Sequence, residues 1–92
     1  MYNLGMASEY SIEIDTTAAK ALARIQRTFQ RKIAQAIADL AVDPRPHGCT
    51  KLTGTKDAYR IRIGDYRVVY TVNDAVRIVR IERIAHRREV YR

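Results

Sequence analysis

The stretch from Ala18 to Val42 contains neither glycine nor proline, and it restricts the possible folds of this chain more than any other feature. Apolar residues recur through it at helical spacing. Drawn as one helix, the stretch would be about 40 Å long, whereas a chain of this size has a radius of gyration of about 12 Å. We therefore expect two helices folded as a hairpin, with the break between Gln26 and Gln30 and the end at the loop Asp43 to Gly48.

The second half of the chain has the two-residue period of β-strands. Apolar and polar residues alternate in Ala58 to Ile63 and again in Tyr66 to Val72. Gly64-Asp65 and Asn73-Asp74 lie where short turns are needed, so these strands should be antiparallel neighbours. Val76 to Ile84 is rich in β-branched and basic residues on both faces, and we expect it to be a strand inside the sheet.

The N-terminal part adds one further strand. Residues 1–8 show no periodicity, and we expect them to be disordered or a tag-like remnant. Glu9 to Asp15 alternates and predicts a half-buried strand, and His86 to Arg92 predicts a short helical tail. The expected fold is α+β, in a single domain over residues 9–92. It has an N-terminal strand, a two-helix hairpin and a three-stranded antiparallel meander forming one sheet.

The charge of the chain suggests a polyanionic partner. The chain has 92 residues and a formal net charge of +7, and arginine supplies 13 of its 17 basic residues. Arginine is the residue best suited to bidentate phosphate binding. A merely solvated basic surface is the alternative interpretation. The single cysteine, Cys49, excludes an intramolecular disulfide. Without disulfide support, a chain this small is expected to be cytoplasmic, and no stretch is long enough to cross a membrane.

Three sequence blocks resemble a known family. They are Lys51-Leu52-Thr53-Gly54, then Tyr59-Arg60-Ile61-Arg62-Ile63-Gly64-Asp65-Tyr66-Arg67-Val68-Val69-Tyr70, then His86-Arg87-Arg88-Glu89-Val90-Tyr91-Arg92. Their order and spacing are similar to those of the RelE/ParE toxin superfamily, RelE-like branch. The resemblance implies a toxin of a type II toxin–antitoxin system that cleaves mRNA in the ribosomal A site and inhibits translation. It also implies an acidic antitoxin partner, with operator DNA bound only through the toxin–antitoxin complex.

Two other functions remain open at this point. One is a ParE-like inhibitor of DNA gyrase, which shares the fold. The other is a nucleic-acid-binding module without catalysis. The complete third block, ending in Tyr91 and Arg92, favours the nuclease.

An RNA-cleaving enzyme of this kind needs particular side chains. Without a metal, the neighbouring 2′-hydroxyl attacks the phosphate, a base and an acid move protons, and cations stabilise the added negative charge. We expect no metal and no cofactor, since the sequence has no paired-carboxylate cluster.

Arg67 matches the family motif and is the expected phosphate clamp; a surface arginine paired with an acid is the alternative. Arg60 and Arg62 should hold phosphates, because arginine cannot act as a base at ordinary pH. Lys51 is a further candidate contact to RNA.

The C-terminal block supplies the candidates for proton transfer. Histidine is the residue type in this block whose unperturbed pKa lies near neutrality, so His86 is the expected acid or base; a histidine that bonds a nearby backbone group is the alternative. Arg87, and less so Arg88, is expected at the scissile phosphate. Tyr91 could assist the leaving group, stack on a base or anchor the tail. We expect Arg60, Arg62 and Arg67 side by side on one sheet surface, with His86 beside Arg67.

Overall fold

The computed structural model describes residues 9–90, and the side chains of residues 9–89. The predicted disordered segment 1–8 and the candidate Tyr91 lie outside the described residues. The elements are β1 (Ser11–Ile14), α1 (Thr16–Ala23), α2 (Arg27–Asp39), β2 (Thr50–Lys51), β3 (Ala58–Ile63), β4 (Tyr66–Asn73), β5 (Ile78–His86) and α3 (Arg87–Val90). They confirm the predicted α+β fold with its helical hairpin, meander and short C-terminal helix.

The strands form one five-stranded sheet in the order β1-β5-β4-β3-β2. β3, β4 and β5 are antiparallel neighbours, as their short turns predict, while β1 runs parallel to β5. The two-residue strand β2, which the sequence pattern does not reveal, pairs with the start of β3. None of the helices between residues 9 and 90 is long and apolar enough to cross a membrane.

The hairpin breaks earlier than predicted. Residues 24–26 separate α1 from α2, so the expected break between Gln26 and Gln30 is wrong: its centre lies about three residues too late, which is most of a helical turn. The amides of Arg24 and Ile25 donate to the carbonyls of Ala21 and Leu22 at 3.1 and 3.2 Å, which tightens the end of α1. Phe29 is thereby placed inside α2, where its ring packs against Tyr66 at 5.7 Å between centroids.

Both helices cover the same face of the sheet. Ile33, Ile37 and Leu40 of the helical layer are buried against a strand layer that includes Val68 and Tyr70. At the β3–β4 turn, Gly64 has a φ of 58°. A Cβ on Gly64 would lie 3.3 Å from the ring of Phe29, so both the turn and the packing favour glycine here.

A β-bulge in β5 explains why both faces of this strand look mixed in the sequence. Tyr70 pairs with Ile81 and Val69 pairs with Arg83, which leaves Glu82 as an extra residue. Before the bulge, Ile81 faces the helices; after it, Ile84 does. The bulge therefore turns Arg83, rather than Glu82, towards the uncovered face.

Candidate nucleic-acid interface

The sheet surface that α1 and α2 leave uncovered carries arginines from three strands, and we call it the arginine face. Side chains of directly paired residues point to the same face of a sheet. Arg62 pairs with Arg67, and Arg60 pairs with Val69. Val69 pairs on its other side with Arg83. The expected clustering of Arg60, Arg62 and Arg67 on one surface is therefore confirmed.

Arg67 is nearly buried, with only 7% of its surface exposed. Its Nη1 makes two long hydrogen bonds, to the carbonyl oxygens of Tyr66 at 3.3 Å and Gly64 at 3.5 Å. No carboxylate lies within ion-pair distance of it among residues 9–90. A buried charge without a counter-charge is costly. Arg67 is thus a fixed cation whose remaining donors are available to an anion.

The remaining nitrogens of Arg67 can be reached from solvent. In the described part of the chain, no side-chain nitrogen or oxygen is both fully buried and without a hydrogen-bond partner. The Nε and Nη2 atoms have no acceptor among these residues, so each of them keeps some surface exposed to solvent. The alternative of an arginine paired with an acid does not hold within residues 9–90.

Next to β1, at the edge of the arginine face, the charge of Arg80 is neutralised by carboxylates. Arg80 lies 2.8 Å from Asp15 and 3.5 Å from each of Glu13 and Glu82. Asp15 is the residue before α1, but its carboxylate binds Arg80 and does not cap the helix. The unneutralised charge of this face therefore lies on β3, on β4 and at Arg83. Sequence reasoning missed Arg83, because the bulge at Glu82 reverses the alternation and no local signal marks it.

Arg87 begins α3 beside the β3–β4 turn. Its backbone amide donates to the carbonyl oxygen of Asp65 at 2.7 Å, which extends the pairing of β4 and β5 by one residue. Its Nε lies 3.7 Å from the Asp65 carboxylate, and both side chains are more than half exposed. This weak pair leaves the guanidinium of Arg87 available to a phosphate. Arg88, also exposed, is the next residue of the same turn.

His86 does not lie beside Arg67 on the arginine face, so that expectation is wrong. His86 pairs with Tyr66, while Arg67 pairs with Ala85. Since adjacent residues of a strand alternate between faces, the imidazole lies on the helix-covered side. There its ring meets the Tyr66 ring edge-on, at 5.3 Å between centroids and 88° between planes. The bulge is the cause, because it shifts the parity of every residue after Glu82.

Lys51 also lies apart from the arginines. It pairs with Tyr59, whose ring stacks on the buried Tyr70 of the helix-covered face. The side chain of Lys51 is therefore on the opposite side from Arg60, although it is exposed. Tyr91 lies outside the described residues. Between residues 9 and 90, no three His, Cys, Asp or Glu side chains are grouped so that they could hold a metal ion.

Comparison with known proteins agrees with this architecture. The family model described as ParE toxin of the type II toxin–antitoxin system parDE matches residues 12–91. A curated protein named toxin RelE1, from Methanocaldococcus jannaschii, is 30% identical over 87 residues, which cover 91% of this chain and 97% of the relative.

Solved structures of RelE proteins share the fold. The archaeal RelE–RelB complex from Pyrococcus horikoshii OT3 contains a chain that is 32% identical, with a TM-score of 0.78 over 86% of this chain and 96% of that one. The isolated RelE toxin of E. coli is 28% identical, with a TM-score of 0.76 over 89% of this chain and 90% of that one. The chain therefore belongs to the RelE/ParE superfamily, and it is a RelE-like toxin of a type II toxin–antitoxin system.

Proposed function

We propose that this toxin is a ribosome-dependent endoribonuclease that cleaves mRNA by metal-free attack of the 2′-hydroxyl on the adjacent phosphate. The observation that carries the proposal is Arg67, a nearly buried guanidinium with no carboxylate partner among the described residues. Such a group is already ordered before substrate arrives, so little reorganisation is needed when charge develops on the phosphate.

Arg67 and Arg62 form the centre of the proposed phosphate site. They are directly paired on neighbouring strands, so an RNA backbone crossing the sheet meets both. Arg60 lies two residues before Arg62 on the same face and extends the track. Arginine remains charged at any ordinary pH, so these residues bind and stabilise phosphate but do not exchange protons. A transition state carrying an extra negative charge is stabilised more than the ground state, which is the requirement for catalysis.

The C-terminal block supplies a second cation for the phosphate and the candidate for proton transfer to the leaving group. Arg87, beside the Asp65 turn, is a second cation for the phosphate and Arg88 a further RNA contact. Tyr91 is the candidate for the proton at the leaving 5′-oxygen. His86 is assigned no proton in this scheme, since its ring lies on the helix-covered side of the sheet, away from Arg67. No cofactor enters this scheme.

The proposal includes an antitoxin partner. The related Pyrococcus and E. coli proteins were solved as complexes with RelB. A net charge of +7 favours an acidic segment that neutralises the basic surface, in the cytoplasm where translation occurs. Operator DNA would be contacted only through that complex.

The decisive experiment uses purified toxin, ribosomes and a short mRNA programmed into the A site. We expect cuts at defined positions, with products ending in a 2′,3′-cyclic phosphate and a 5′-hydroxyl. A matched mRNA with a single 2′-deoxy nucleotide at the cut site should resist cleavage, because the nucleophile is missing. Cleavage of that deoxy mRNA at the normal rate would reject the mechanism.

A gyrase inhibitor is the second candidate, since the matching family model is that of ParE toxins. The same toxin preparation should be added to DNA gyrase and supercoiled plasmid. We expect no accumulation of cleaved gyrase–DNA complexes. Their accumulation, together with intact mRNA on toxin-treated ribosomes, would replace the nuclease by the gyrase function.

A further inference from the structure

His86 is the last residue of β5, and two reciprocal hydrogen bonds make it the cap of α3. The backbone amide of Arg88 donates to the imidazole Nδ1 at 3.2 Å. In return, the backbone amide of His86 donates to the Glu89 carboxylate at 2.9 Å. The Glu89 bond is that of a capping box, with histidine at the position usually held by serine or threonine, but the imidazole accepts from the second amide of the helix instead of the third. Two helix-start amides are satisfied in this way.

The imidazole that forms the cap is held from behind. Its ring contacts Tyr66, and the Tyr66 ring in turn packs on Phe29 of α2. A cavity of about 260 Å³ borders the group and is also lined by Arg24 and Glu89. The ring is therefore fixed by the helical layer, on the side of the sheet away from Arg67.

The cap acts on residues that the proposed function requires. Arg87 is the first residue of α3, and its only other backbone anchor among the described residues is the carbonyl of Asp65. The arginines at 87 and 88 and the rest of the C-terminal block follow directly from the capped position. Fraying of this four-residue helix would release Arg87 from its place beside the β3–β4 turn.

We propose that His86 is a positioning residue, whose neutral imidazole caps α3 through Nδ1 and thereby holds Arg87 at the phosphate site. The inference rests on the proposed nuclease function for its effect on rate. The cap itself does not depend on that function.

Nδ1 can accept the Arg88 amide only while it carries no proton, so the ring proton must be on Nε2. Arg24 and Glu89 line the same cavity as the imidazole, the Tyr66 ring contacts it, and Arg87 and Arg88 lie on the helix that it caps. A proton on Nδ1 would remove the acceptor on which the cap depends.

Matched substitutions separate a cap from a proton carrier. His86→Asn retains a short acceptor that is favoured at this position, whereas His86→Ala removes it. We expect His86→Asn to cleave at close to the wild-type rate, and His86→Ala to lose about 2- to 30-fold at saturating ribosome, as loss of a helix cap implies. If His86 carried a proton in the reaction, both variants would lose about 10²- to 10⁴-fold. A loss of that size in His86→Asn would overturn the proposal.

The second half of the box has its own matched pair. Glu89→Gln keeps an oxygen that can accept the His86 amide, and Glu89→Ala does not. We expect Glu89→Gln to resemble the wild type and Glu89→Ala to resemble His86→Ala. Equal activity of all four variants would show that the cap does not position Arg87.

Nitrogen-15 NMR of the free toxin tests the cap without any RNA. At neutral pH the imidazole should be the Nε2–H form, with Nδ1 accepting a hydrogen bond. The Arg88 amide resonance should shift as acid protonates the ring, and this shift should be absent in His86→Ala. An Nδ1–H form at neutral pH would overturn the proposal. If the NMR result holds but no RNA is cut, the nuclease function fails and the cap stands.

Discussion

Two groups of arginines in this toxin differ in what surrounds them. At one end of the sheet, Arg45 donates to both carboxylate oxygens of Asp74, at 2.9 and 3.3 Å, and to the Tyr59 hydroxyl at 3.0 Å. The Tyr10 hydroxyl donates to the same Asp74 carboxylate at 2.6 Å. We call these four residues the Asp74 clasp. On the arginine face, Arg62 and Arg67 have no carboxylate partner within residues 9–90.

The difference shows that the function of each arginine depends on whether a carboxylate lies beside it. An arginine with a carboxylate partner holds the fold together, and one without such a partner can bind a ligand. Arg45 ties the loop after α2 to the β4–β5 turn, and Tyr10 brings the start of β1 to the same carboxylate. Arg45 therefore has its partners within the protein and connects these segments of the fold. The cations of the arginine face repel one another, and Arg62 and Arg67 have no carboxylate partner between residues 9 and 90, so an external anion can neutralise them.

The largest expected effect comes from removing the buried guanidinium of the arginine face. Arg67→Gln should slow cleavage on the ribosome by about 10²- to 10³-fold, as loss of one donor to a developing negative charge does. The free energy of unfolding should fall by about 1 kcal/mol at most, because two long hydrogen bonds to backbone carbonyls are lost and no ion pair within the described residues is broken. Single-turnover rates and urea denaturation measure both quantities. Arg45→Gln is the control and should cleave normally. A normal cleavage rate for Arg67→Gln would contradict the claim that the arginine face acts in cleavage.

The next largest effect is on the free energy of unfolding, and it comes from removing the buried Tyr70 hydroxyl beneath the Asp74 clasp. Tyr70 is fully buried and donates to the carbonyl of Pro44 at 2.7 Å. Burial is the main reason that its pKa is raised above the usual value for tyrosine. Tyr70→Phe leaves that carbonyl without its donor and should lower the free energy of unfolding by about 1–3 kcal/mol. Cleavage per folded molecule should be unchanged. Tyr59→Phe, at a more exposed hydroxyl, should cost less; a larger cost there would contradict this ranking.

A smaller effect compares two exposed cations on opposite faces. Arg62→Ala and Lys51→Ala each remove one of the 17 basic side chains. Only Arg62 shares the face of Arg67. Arg62→Ala should lower the slope of log affinity against log salt for single-stranded RNA by about 0.7, the value for one lost phosphate contact. Lys51→Ala should change it less. Equal slopes would mean that net charge, and not the arginine face, binds RNA.

The smallest effect is the pH dependence of the clasp. Hydrogen bonds from Arg45 first, and from Tyr10 second, hold the pKa of Asp74 below its usual range. The stabilisation from a depressed carboxyl pKa is present above the unfolded value of about 3.9 and is lost as pH falls towards the lowered one. Thermal unfolding between pH 6 and pH 2 measures it. Asp74→Asn should lose part of the acid dependence, and an unchanged profile would show that the clasp adds nothing to stability.

The regular parts of the fold were predictable because each follows a local period. The alternation in β3 and β4, with Gly64-Asp65 between them, correctly gave two antiparallel strands and put Arg60, Arg62 and Arg67 on one face. The break of the helical hairpin was misplaced, because it depends on how the end of α1 tightens through the Arg24 and Ile25 amides, and hydrophobic period does not reveal that. β2 has only two residues, too few for any period to be visible.

The site residues that precede the bulge at Glu82 could be predicted from the sequence, whereas the faces of the residues after it could not. Arg67 could be chosen from its motif, but its burial and its lack of a carboxylate partner within residues 9–90 come from the packing around it. His86 was assigned to the wrong face and Arg83 was missed, since one extra residue at Glu82 reverses the parity of everything that follows. The cap formed by His86 and Glu89 has the spacing of a capping box, which could have been recognised from the sequence had histidine been considered at its first position.

The sequence by itself determined the α+β class, the hairpin, the meander and the excess of arginine, because hydrophobic period, turn residues and charge are local properties of the chain. Tertiary structure decided which arginines are neutralised. Asp74 reaches Arg45 and Asp15 reaches Arg80 only after folding, across 29 and 65 residues of chain. An ion pair depends on distances of a few ångströms, and those distances are set by strand order and register. The division between arginines that hold the fold and arginines left for a ligand therefore arises only in the folded protein.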